Sequence, residues 1–332
     1  MIVSSRHKVV LLILALLMPI LVLWNLGAGP LEITLKEYYD ALFHFDINNK
    51  YQVAAREVKF TRMVVGLIAG GALAIAGLLM QTLFNNPLAG PYVLGINSGS
   101  SLFVAFGIMT GIPLFSSDLG LITNAVLGAI IFGVIILVFA RSIRSQISLL
   151  LVGLMLGSFT SAIIALLQSV SNANELKQYT MWSLGSLKRI NFDQLWIIVL
   201  VFFISLILVI LLIKPLNALV IGEKQAKLLG IRFRQTQLLI ILITALLTAV
   251  VTAFCGPIAF VGLAVPNLVR ILFKTRHHGV LILACLFGGG CFILLCDIAI
   301  QELESTVRLP INVLTSMIGA PIVIGLLIRR VR

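Results

Sequence analysis

A chain of 332 residues that is 60% hydrophobic and only 11% charged differs from soluble globular domains, in which about a quarter of the residues are charged. Its apolar runs are long and continuous, which excludes the short alternating strands of a membrane β-barrel. Each run approaches the roughly 20 residues that a helix needs to cross a bilayer. We therefore predict an all-α polytopic membrane protein with about ten transmembrane helices, forming a single transmembrane domain over residues 1–332.

The apolar runs follow one another along the whole chain, at residues 8–26, 60–82, 93–112, 120–140, 147–169, 192–213, 235–254, 256–272, 277–297 and 311–328. Arg6 and Lys8 before the apolar stretch from Val9 to Leu23 resemble the start of a secretory signal, but so many later spans favour an uncleaved first helix. An even number of spans puts both termini on one side of the membrane. Basic residues concentrate in the segments on that side, with Glu223 as their one acidic residue, so both termini are predicted to be cytoplasmic.

The net charge of +12 follows from this topology. The basic residues are divided among several loops, where they anchor helix ends at the membrane surface. The sequence therefore predicts contact with membrane lipid and excludes nucleic acid as a partner.

Three polar segments are too long to be simple turns. Residues 27–59 and 170–191 are predicted outer segments, and residues 214–234 form the longest inner loop. In this loop Gly222 and Gly230 bracket a predicted short helix from about 223 to 229, with Glu223 in the first turn, where a carboxylate is favoured. Leu228 and Leu229 project from this charged helix, either onto lipid headgroups or into a cytoplasmic partner.

Residues 82–99 interrupt the chain between two spans. Pro87 and Pro91 cannot continue a helix, and Asn85 and Asn86 bring polar side chains to the break. Irregular backbone at membrane depth is tolerated where it is buried in protein or lines a water-filled path. This segment is typical of a transporter or channel.

The eighth span contains a second interruption, Pro266-Asn267, followed by Arg270 near the inner end. Helix packing through Gly256 and Gly262 explains part of this pattern. A role in lining or gating a pathway explains it equally well, and both interpretations stay open.

The fifth span has polar residues on one face. Ser158, Ser161 and Gln168 are spaced by three and seven residues, and Asn172 follows beyond the span. Serine hydroxyls in membrane helices often bond the carbonyls of their own helix. Gln168 is not explained in this way, so we predict that these four residues line the substrate pathway.

The sequence lacks the residue sets of an enzyme. No Gly-x-x-x-x-Gly-Lys-Ser/Thr phosphate loop occurs, so this chain does not itself hydrolyse ATP. No histidine lies near Ser98 to activate it as a nucleophile. The four cysteines lie in apolar runs and are interpreted as packing residues, not metal ligands. We predict a protein without catalytic residues, metal site or cofactor of its own.

Short motifs in a fixed order resemble those of the FecCD family, the permease subunits of ABC importers for iron–siderophores, haem and cobalamin. The resemblance covers nearly the whole chain, and its pieces include Gly70–Gly77, Met80-Gln81, Asn86-Pro-Leu-Ala89, Leu94-Gly95, Gly222-Glu223, Leu229-Gly230, Gly256-Pro-Ile258, Phe260–Leu263, Val265-Pro266, Leu309-Pro310 and Gly319-Ala-Pro321. It implies a multi-pass protein of the bacterial cytoplasmic (inner) membrane that works by alternating access.

The resemblance also implies partners. A second permease copy would complete the pathway at a two-fold axis, giving a homodimer, or two different permeases would pair. Two ATP-binding subunits, which bind ATP and Mg, would dock beneath. A periplasmic or lipid-anchored binding protein would deliver the substrate, so ferric siderophore, haem and cobalamin remain open as cargo.

Site residues carried over from the family form three groups. The coupling helix that contacts the ATPase would use Gly222, Glu223, Ala226, Leu229 and Gly230. The cytoplasmic gate would comprise Asn86 and Leu88, with Gln146 and Ile147 as its second element. Docking of the binding protein would use Lys59, Arg62 and Arg308.

The chain departs from the family pattern at three places. Lys59 stands where the family has arginine and lacks its bidentate fork. Gln301 replaces a third basic residue, and Asn267 replaces a histidine. The alternative to an importer subunit is a stand-alone secondary transporter or channel. A membrane enzyme is a more distant alternative.

Overall fold

In a computed structural model, the chain is described over residues 5–31, 33–110, 118–143, 145–304 and 306–331. These ranges contain helices and connecting segments but no β-strand. The α-helices are α1 Ser5–Gly27, α2 Leu35–Phe43, α3 Lys50–Val53, α4 Thr61–Leu83, α5 Ile96–Met109, α6 Asp118–Ser142, α7 Gln146–Val170, α8 Ala173–Ser183, α9 Leu195–Leu211, α10 Ile213–Leu219, α11 Glu223–Leu228, α12 Phe233–Cys255, α13 Val261–Phe273, α14 His278–Leu303 and α15 Ile311–Val331. A π-helical turn, Ala54–Phe60, joins α3 to α4, and Pro91–Leu94 and Phe192–Gln194 form 3-10 helices.

Seven helices of the described ranges are long and apolar enough to cross a membrane: His7–Gly27, Lys50–Leu83, Leu119–Ser142, Gln146–Val170, Phe192–Leu211, Phe233–Cys255 and His278–Leu303. Three shorter apolar helices, Ile96–Met109, Val261–Phe273 and Ile311–Gly325, occupy the remaining predicted runs. The prediction of an all-α polytopic membrane protein is confirmed. Residues 111–112, at the end of the third predicted run, lie outside the described ranges.

Two of the shorter helices begin later than the apolar runs predict. In the eighth run, the backbone from Gly256 to Phe260 is irregular because Gly256 and Phe260 have φ angles of 72° and 66°. In the third run, the 3-10 helix Pro91–Leu94 precedes α5, and Gly95 has a φ of 75°. Positive φ values end regular helix, so hydrophobicity overestimates the helical length there.

Helix α4 is the central element of the molecule. In the most apolar stretch of its span 89% of the residues are buried, and it packs against α12, α13 and α14. A Cβ atom on Gly70 would lie 2.1 Å from the carbonyl oxygen of Gly289 in α14, and one on Gly77 would lie 1.8 Å from that of Gly262 in α13. The helices therefore meet backbone to backbone, as small residues permit in membranes.

One group of polar contacts joins helix ends on the predicted outer side. Asp297 in α14 accepts a hydrogen bond from Arg62 Nε at 2.7 Å and another from the Asn25 amide at 2.9 Å. The amide of Gln301 donates to the same carboxylate at 3.1 Å. The Arg62 and Asp297 side chains are only 5% and 2% exposed, so this is a buried ion pair with additional hydrogen bonds.

Glu304 extends the outer network toward solvent. It pairs with Lys188, and its carboxylate also lies 3.7 Å from Arg62. The hydrogen bond from Lys188 is the main cause that lowers the pKa of Glu304 below its ordinary value. A lowered pKa means that this pairing stabilises the fold at neutral pH and is lost as the pH falls through that pKa.

A second group of contacts joins the predicted inner ends. Arg270 in α13 donates to the side-chain oxygen of Gln81 in α4 at 2.6 Å. His278 at the start of α14 contacts Thr82 at the end of α4. The predicted outer ends thus meet one another and the predicted inner ends meet one another, as the alternating topology requires.

Gly70→Ala is expected to destabilise the protein, because the added methyl group forces α4 and α14 apart at a cost of roughly 1–3 kcal/mol. Gly133→Ala is the matched control, since a methyl group there meets only Ala245 Cβ, at 3.7 Å. Thermal unfolding of both variants in detergent, followed by size exclusion, measures the difference. Equal melting temperatures would contradict the close contact of α4 with α14.

Asp297→Asn is expected to cost about 3–5 kcal/mol, because it removes the carboxylate that is bonded to the buried Arg62 guanidinium and leaves only the more distant one of Glu304, at 3.7 Å. Asp193→Asn is the control, since the Asp193 side chain is 92% exposed and lies 3.9 Å from Arg56. Unfolding monitored by intrinsic fluorescence should give a clearly lower melting temperature for Asp297→Asn alone. A double variant, Arg62→Met with Asp297→Leu, should recover part of the loss, and no recovery would argue against charge burial as its cause.

Candidate functional site

The predicted first gate is a tight turn after α4. The Asn86 N–H donates to the carbonyl of Gln81 at 3.2 Å, and the Ala89 N–H donates to the carbonyl of Asn86 at 3.1 Å. The Asn86 side-chain oxygen accepts the N–H of Leu88 at 2.9 Å. Asn86 is therefore used to shape the turn, and Leu88 at its tip is 44% exposed.

Helix α13 holds this turn. The side-chain amide of Asn267 donates to the carbonyl of Pro87 at 2.9 Å and to that of Leu263 at 2.8 Å. The Gln81 amide reaches the Leu263 carbonyl at 3.4 Å. Asn267 therefore bonds the eighth span to the predicted gate turn, a contact that the sequence did not reveal. This contact adds to the two interpretations of Pro266-Asn267, helix packing and a role at the pathway, and both stay open.

The irregular segments at 90–95 and 256–260 lie against each other. The Tyr92 hydroxyl accepts the N–H of Ile258 at 2.9 Å and donates to its carbonyl at 2.5 Å. The N–H of Ala259 donates to the Asn312 side chain at 2.9 Å. Protein groups therefore satisfy this broken backbone, which is the condition for its survival at membrane depth.

The second predicted gate element begins α7. The Ser145 hydroxyl caps the helix by accepting the N–H of Ser148 at 3.2 Å. Gln146 is half-buried, whereas Ile147 is 74% exposed. Two exposed apolar side chains, Leu88 and Ile147, are thus available at the predicted gate, and their gating role stays a prediction.

The predicted pathway residues lie on a helix that this chain leaves largely uncovered. Ser158 and Ser161 are exposed, and their hydroxyls donate to the carbonyls of Leu154 and Gly157, at 3.1 and 2.9 Å. Asn172 caps α8 through a reciprocal pair of hydrogen bonds with Glu175. These three side chains therefore have local structural partners, Gln168 is half-buried, and the pathway stays a prediction.

The short helix predicted between Gly222 and Gly230 is present as α11, within one residue of its predicted end, and its coupling role stays a prediction. Gly222 with a φ of 119° precedes it, and Gly230 with a φ of 80° follows it. The Ile231 N–H bonds the Ala226 carbonyl at 3.1 Å and the Gly230 N–H bonds the Lys227 carbonyl at 3.0 Å, which forms a Schellman motif. Both glycines are required by this geometry.

Helix α11 presents an apolar surface outward. Ala226 is fully buried against the body of the protein, whereas Leu228 and Leu229 are 89% and 63% exposed. Glu223 pairs with Lys227 one turn later, at 2.6 Å. Ala226 thus packs α11 against the rest of the chain, whereas Leu228 and, just beyond the helix, Leu229 stay largely exposed.

Lys59 is not the surface cation that the docking prediction assumed. Its ammonium group donates to the carbonyls of Leu26, Ala28 and Leu31, at 3.2, 3.0 and 2.5 Å, and the residue is only 6% exposed. These carbonyls lie at or beyond the end of α1, where partial negative charge favours a cation. The correction is that Lys59 closes the outer end of α1.

Arg62 is likewise engaged inside the chain, through Asp297. Arg308 is exposed and lines an outer cleft of about 620 Å³ together with Lys188 and Glu304. Of the three predicted docking residues, Arg308 alone is exposed, and its docking role stays a prediction. Gln301, at the position of a lost basic residue, bonds Asp297 and completes the buried network.

Sequence reasoning missed a polar cluster at the inner ends of α4, α10 and α14. The sequence analysis gave the histidines no role, yet His278 is 1% exposed and bonds both Thr82 and Asn217. A cleft of about 450 Å³ opens beside this cluster and the gate turn. Two consecutive histidines at the start of the ninth apolar run were the available signal.

Comparison with known proteins gives consistent relatives over nearly the full length. The chain is 30% identical to the hemin transport system permease protein HmuU of Yersinia pestis, over 98% of this chain and 97% of that protein. It is 33% identical to the vitamin B12 import system permease protein BtuC of Klebsiella pneumoniae, over 95% and 92% of the two chains. It is 31% identical to the molybdate import system permease protein MolB of Haemophilus influenzae, over 96% and 95%.

A solved structure assigned to the metal-chelate type of ABC transporter, in an inward-facing conformation, matches this fold with a TM-score of 0.85 and 29% sequence identity. The match covers 97% of this chain and 99% of the other. The model of the FecCD transport family matches residues 15–329. These matches establish that the chain belongs to the FecCD transport family and is an ABC transporter permease.

Proposed function

We propose that this permease moves a bulky iron chelate (a ferric siderophore), haem or cobalamin into the cytoplasm across the bacterial cytoplasmic membrane by alternating access. ATP and Mg bind to two separate ATP-binding subunits, whose closure moves α11 and exchanges the open states of the gates. The observation that carries the proposal is α11 itself, a helix that ends in a Schellman motif and exposes Leu228 and the adjacent Leu229 beside an otherwise charged surface.

The cargo class rests on the relatives. Three of these relatives are named as transporters of hemin, vitamin B12 and molybdate, and the matching solved structure is of the metal-chelate type. We propose a bulky metal complex because two of these three substrates, and the structural match, belong to that class. A stand-alone secondary transporter loses its basis, since the chain belongs to a family of ABC permeases.

A second copy of the chain is the proposed partner across the pathway. Only 17% of the most apolar stretch of α7 is buried, compared with 89% for α4. The uncovered face of α7 carries the exposed serines beside large apolar side chains, including Met155 and Phe159. If the two copies of a homodimer contact each other near this face, they would enclose a path lined by serine and by large apolar side chains. A separate binding protein would deliver the cargo from outside.

Leu228→Asp is expected to reduce co-purification of the ATP-binding subunit by about tenfold or more, because a buried leucine anchor would become an unpaired charge. Leu228 is 89% exposed, so the permease itself should fold normally. Pull-down of the tagged permease in mild detergent, with quantitative mass spectrometry, measures the ratio of the two chains. Lys224→Gln is the control on the same helix.

An ATP-binding subunit recovered in equal amount with the unmodified chain and with Lys224→Gln is the expected result. Recovery of the permease alone from its native membrane would refute the proposed function. Undiminished recovery with Leu228→Asp would refute the assignment of α11 as the coupling helix.

Arg308→Glu is expected to weaken the binding protein's affinity by about tenfold at low salt and by less at high salt, because the exposed guanidinium would pair with a partner carboxylate. Lys36→Glu is the matched control: it makes the same charge change on an exposed residue of α2. Surface plasmon resonance at two ionic strengths measures both. Equal losses for the two variants would indicate a general charge effect without a docking role for Arg308.

A further inference from the structure

The side-chain amide of Asn217, in α10, bridges two consecutive histidines at the start of α14. Its oxygen accepts the N–H of His278 at 2.8 Å and lies 3.1 Å from Nδ1 of the same residue. Its nitrogen lies 3.2 Å from Nε2 of His277. Because an amide oxygen only accepts hydrogen bonds, Nδ1 of His278 carries the proton in this contact.

The other nitrogen of His278 meets a hydroxyl with two possible acceptors. With Nδ1 protonated, Nε2 of the neutral ring is an acceptor, and it lies 2.8 Å from Thr82 Oγ1. The Leu78 carbonyl also lies 2.8 Å from Thr82 Oγ1. A hydroxyl has one proton, so Thr82 donates either to His278 or to Leu78. When Thr82 donates to Leu78, the hydrogen bond between Thr82 in α4 and His278 in α14 is absent.

This two-state contact lies between the coupling helix and the gate turn. Helix α10 is joined to α11 by tight turns, in which the Ile221 and Gly222 N–H groups bond the carbonyls of Ala218 and Leu219 at 3.1 and 3.0 Å. Helix α10 also packs against both α4 and α14.

On the side of the gate turn, Asn85 is the first residue of the turn, and its N–H donates to the carbonyl of Thr82 at 3.4 Å. The cleft of about 450 Å³ beside Thr82 and His278 gives the end of α4 room to shift.

We propose that Asn217, His278 and Thr82 are positioning residues that transmit movement of α11 to the turn at 85–89. A shift of α10 carries the Asn217 amide with it and reorients the His278 imidazole. The Thr82 hydroxyl then turns to Leu78, and the gate turn is released from α14. The turn stays bonded to α13 through Asn267, so it moves with that helix. This inference rests on the proposed function, in which α11 receives the motion of the ATPase.

The test uses the complete permease–ATPase assembly in nanodiscs, with Leu88→Cys as the reporter. Leu88 is 44% exposed and the four native cysteines are buried, so the introduced thiol is the accessible one. The labelling rate with a hydrophilic maleimide is measured without nucleotide and with Mg-ATP plus vanadate. We expect nucleotide to change this rate by about fivefold in the reference assembly.

Thr82→Val removes the hydroxyl at nearly constant volume and should abolish the nucleotide response while the ATPase stays bound. Thr82→Ser should restore it. Thr248→Val is the control, because this buried α12 hydroxyl makes no hydrogen bond within the described ranges, and it should keep the full response. If Thr82→Val does not fold, Asn217→Leu breaks the same path from the other end and should give the same loss.

The outcomes separate this inference from the proposed function. A reference assembly whose labelling ignores nucleotide would overturn both. If nucleotide changes the labelling rate of the reference assembly, and changes it equally in Thr82→Val or Asn217→Leu, the role of these residues is overturned. The assignment of α11 as the coupling helix would then stand. Loss of the response in Thr248→Val as well would show that any buried threonine matters and would also overturn the specific path.

Discussion

The arrangement of the molecule depends on the backbone contacts of α4 with α13 and α14. Lipid offers no hydrophobic drive for helices to associate, so close packing has to supply it. Facing glycines, such as Gly70 with Gly289, allow that packing. The packing that positions α4 also positions the polar residues at its two ends. Arg62 and Gln81 are separated by about 28 Å along the helix, close to the thickness of a hydrocarbon layer.

The two ends of α4 are held by different kinds of interaction. At the outer end, Arg62 and Asp297 form a buried ion pair, and separating such charges is strongly unfavourable. At the inner end, the single proton of the Thr82 hydroxyl goes either to the Leu78 carbonyl or to the His278 imidazole, and exchanging one such hydrogen bond for the other costs far less. Gln81 is also held at this end by the charged hydrogen bond from Arg270, at 2.6 Å, so the contact that can exchange there is the one at Thr82, next to the turn at 85–89.

The sequence predicted those features that depend on residues close together in the chain. Long apolar runs indicated the number of spans, and Gly222 and Gly230 indicated α11 because the turns there require positive φ. Contacts between distant parts of the chain were beyond the reach of the sequence. Lys59 read as a surface charge, but the carbonyls at the end of α1 surround it. The bond from Asn267 to the Pro87 carbonyl joins residues 180 positions apart, and no spacing rule indicates it.

The same physics bears on where selectivity resides. The Ser158 and Ser161 hydroxyls already donate to carbonyls of their own helix, so each keeps only acceptor capacity for a passing ligand. The exposed neighbours on α7 are mostly apolar and offer no charge to a metal chelate. In the proposed dimer, such a surface would bind many cargoes weakly, which suits passage more than recognition. In that case the binding protein that delivers the cargo would determine which cargo is transported. The outer cleft beside Arg308 is the part of this chain that would bind that protein.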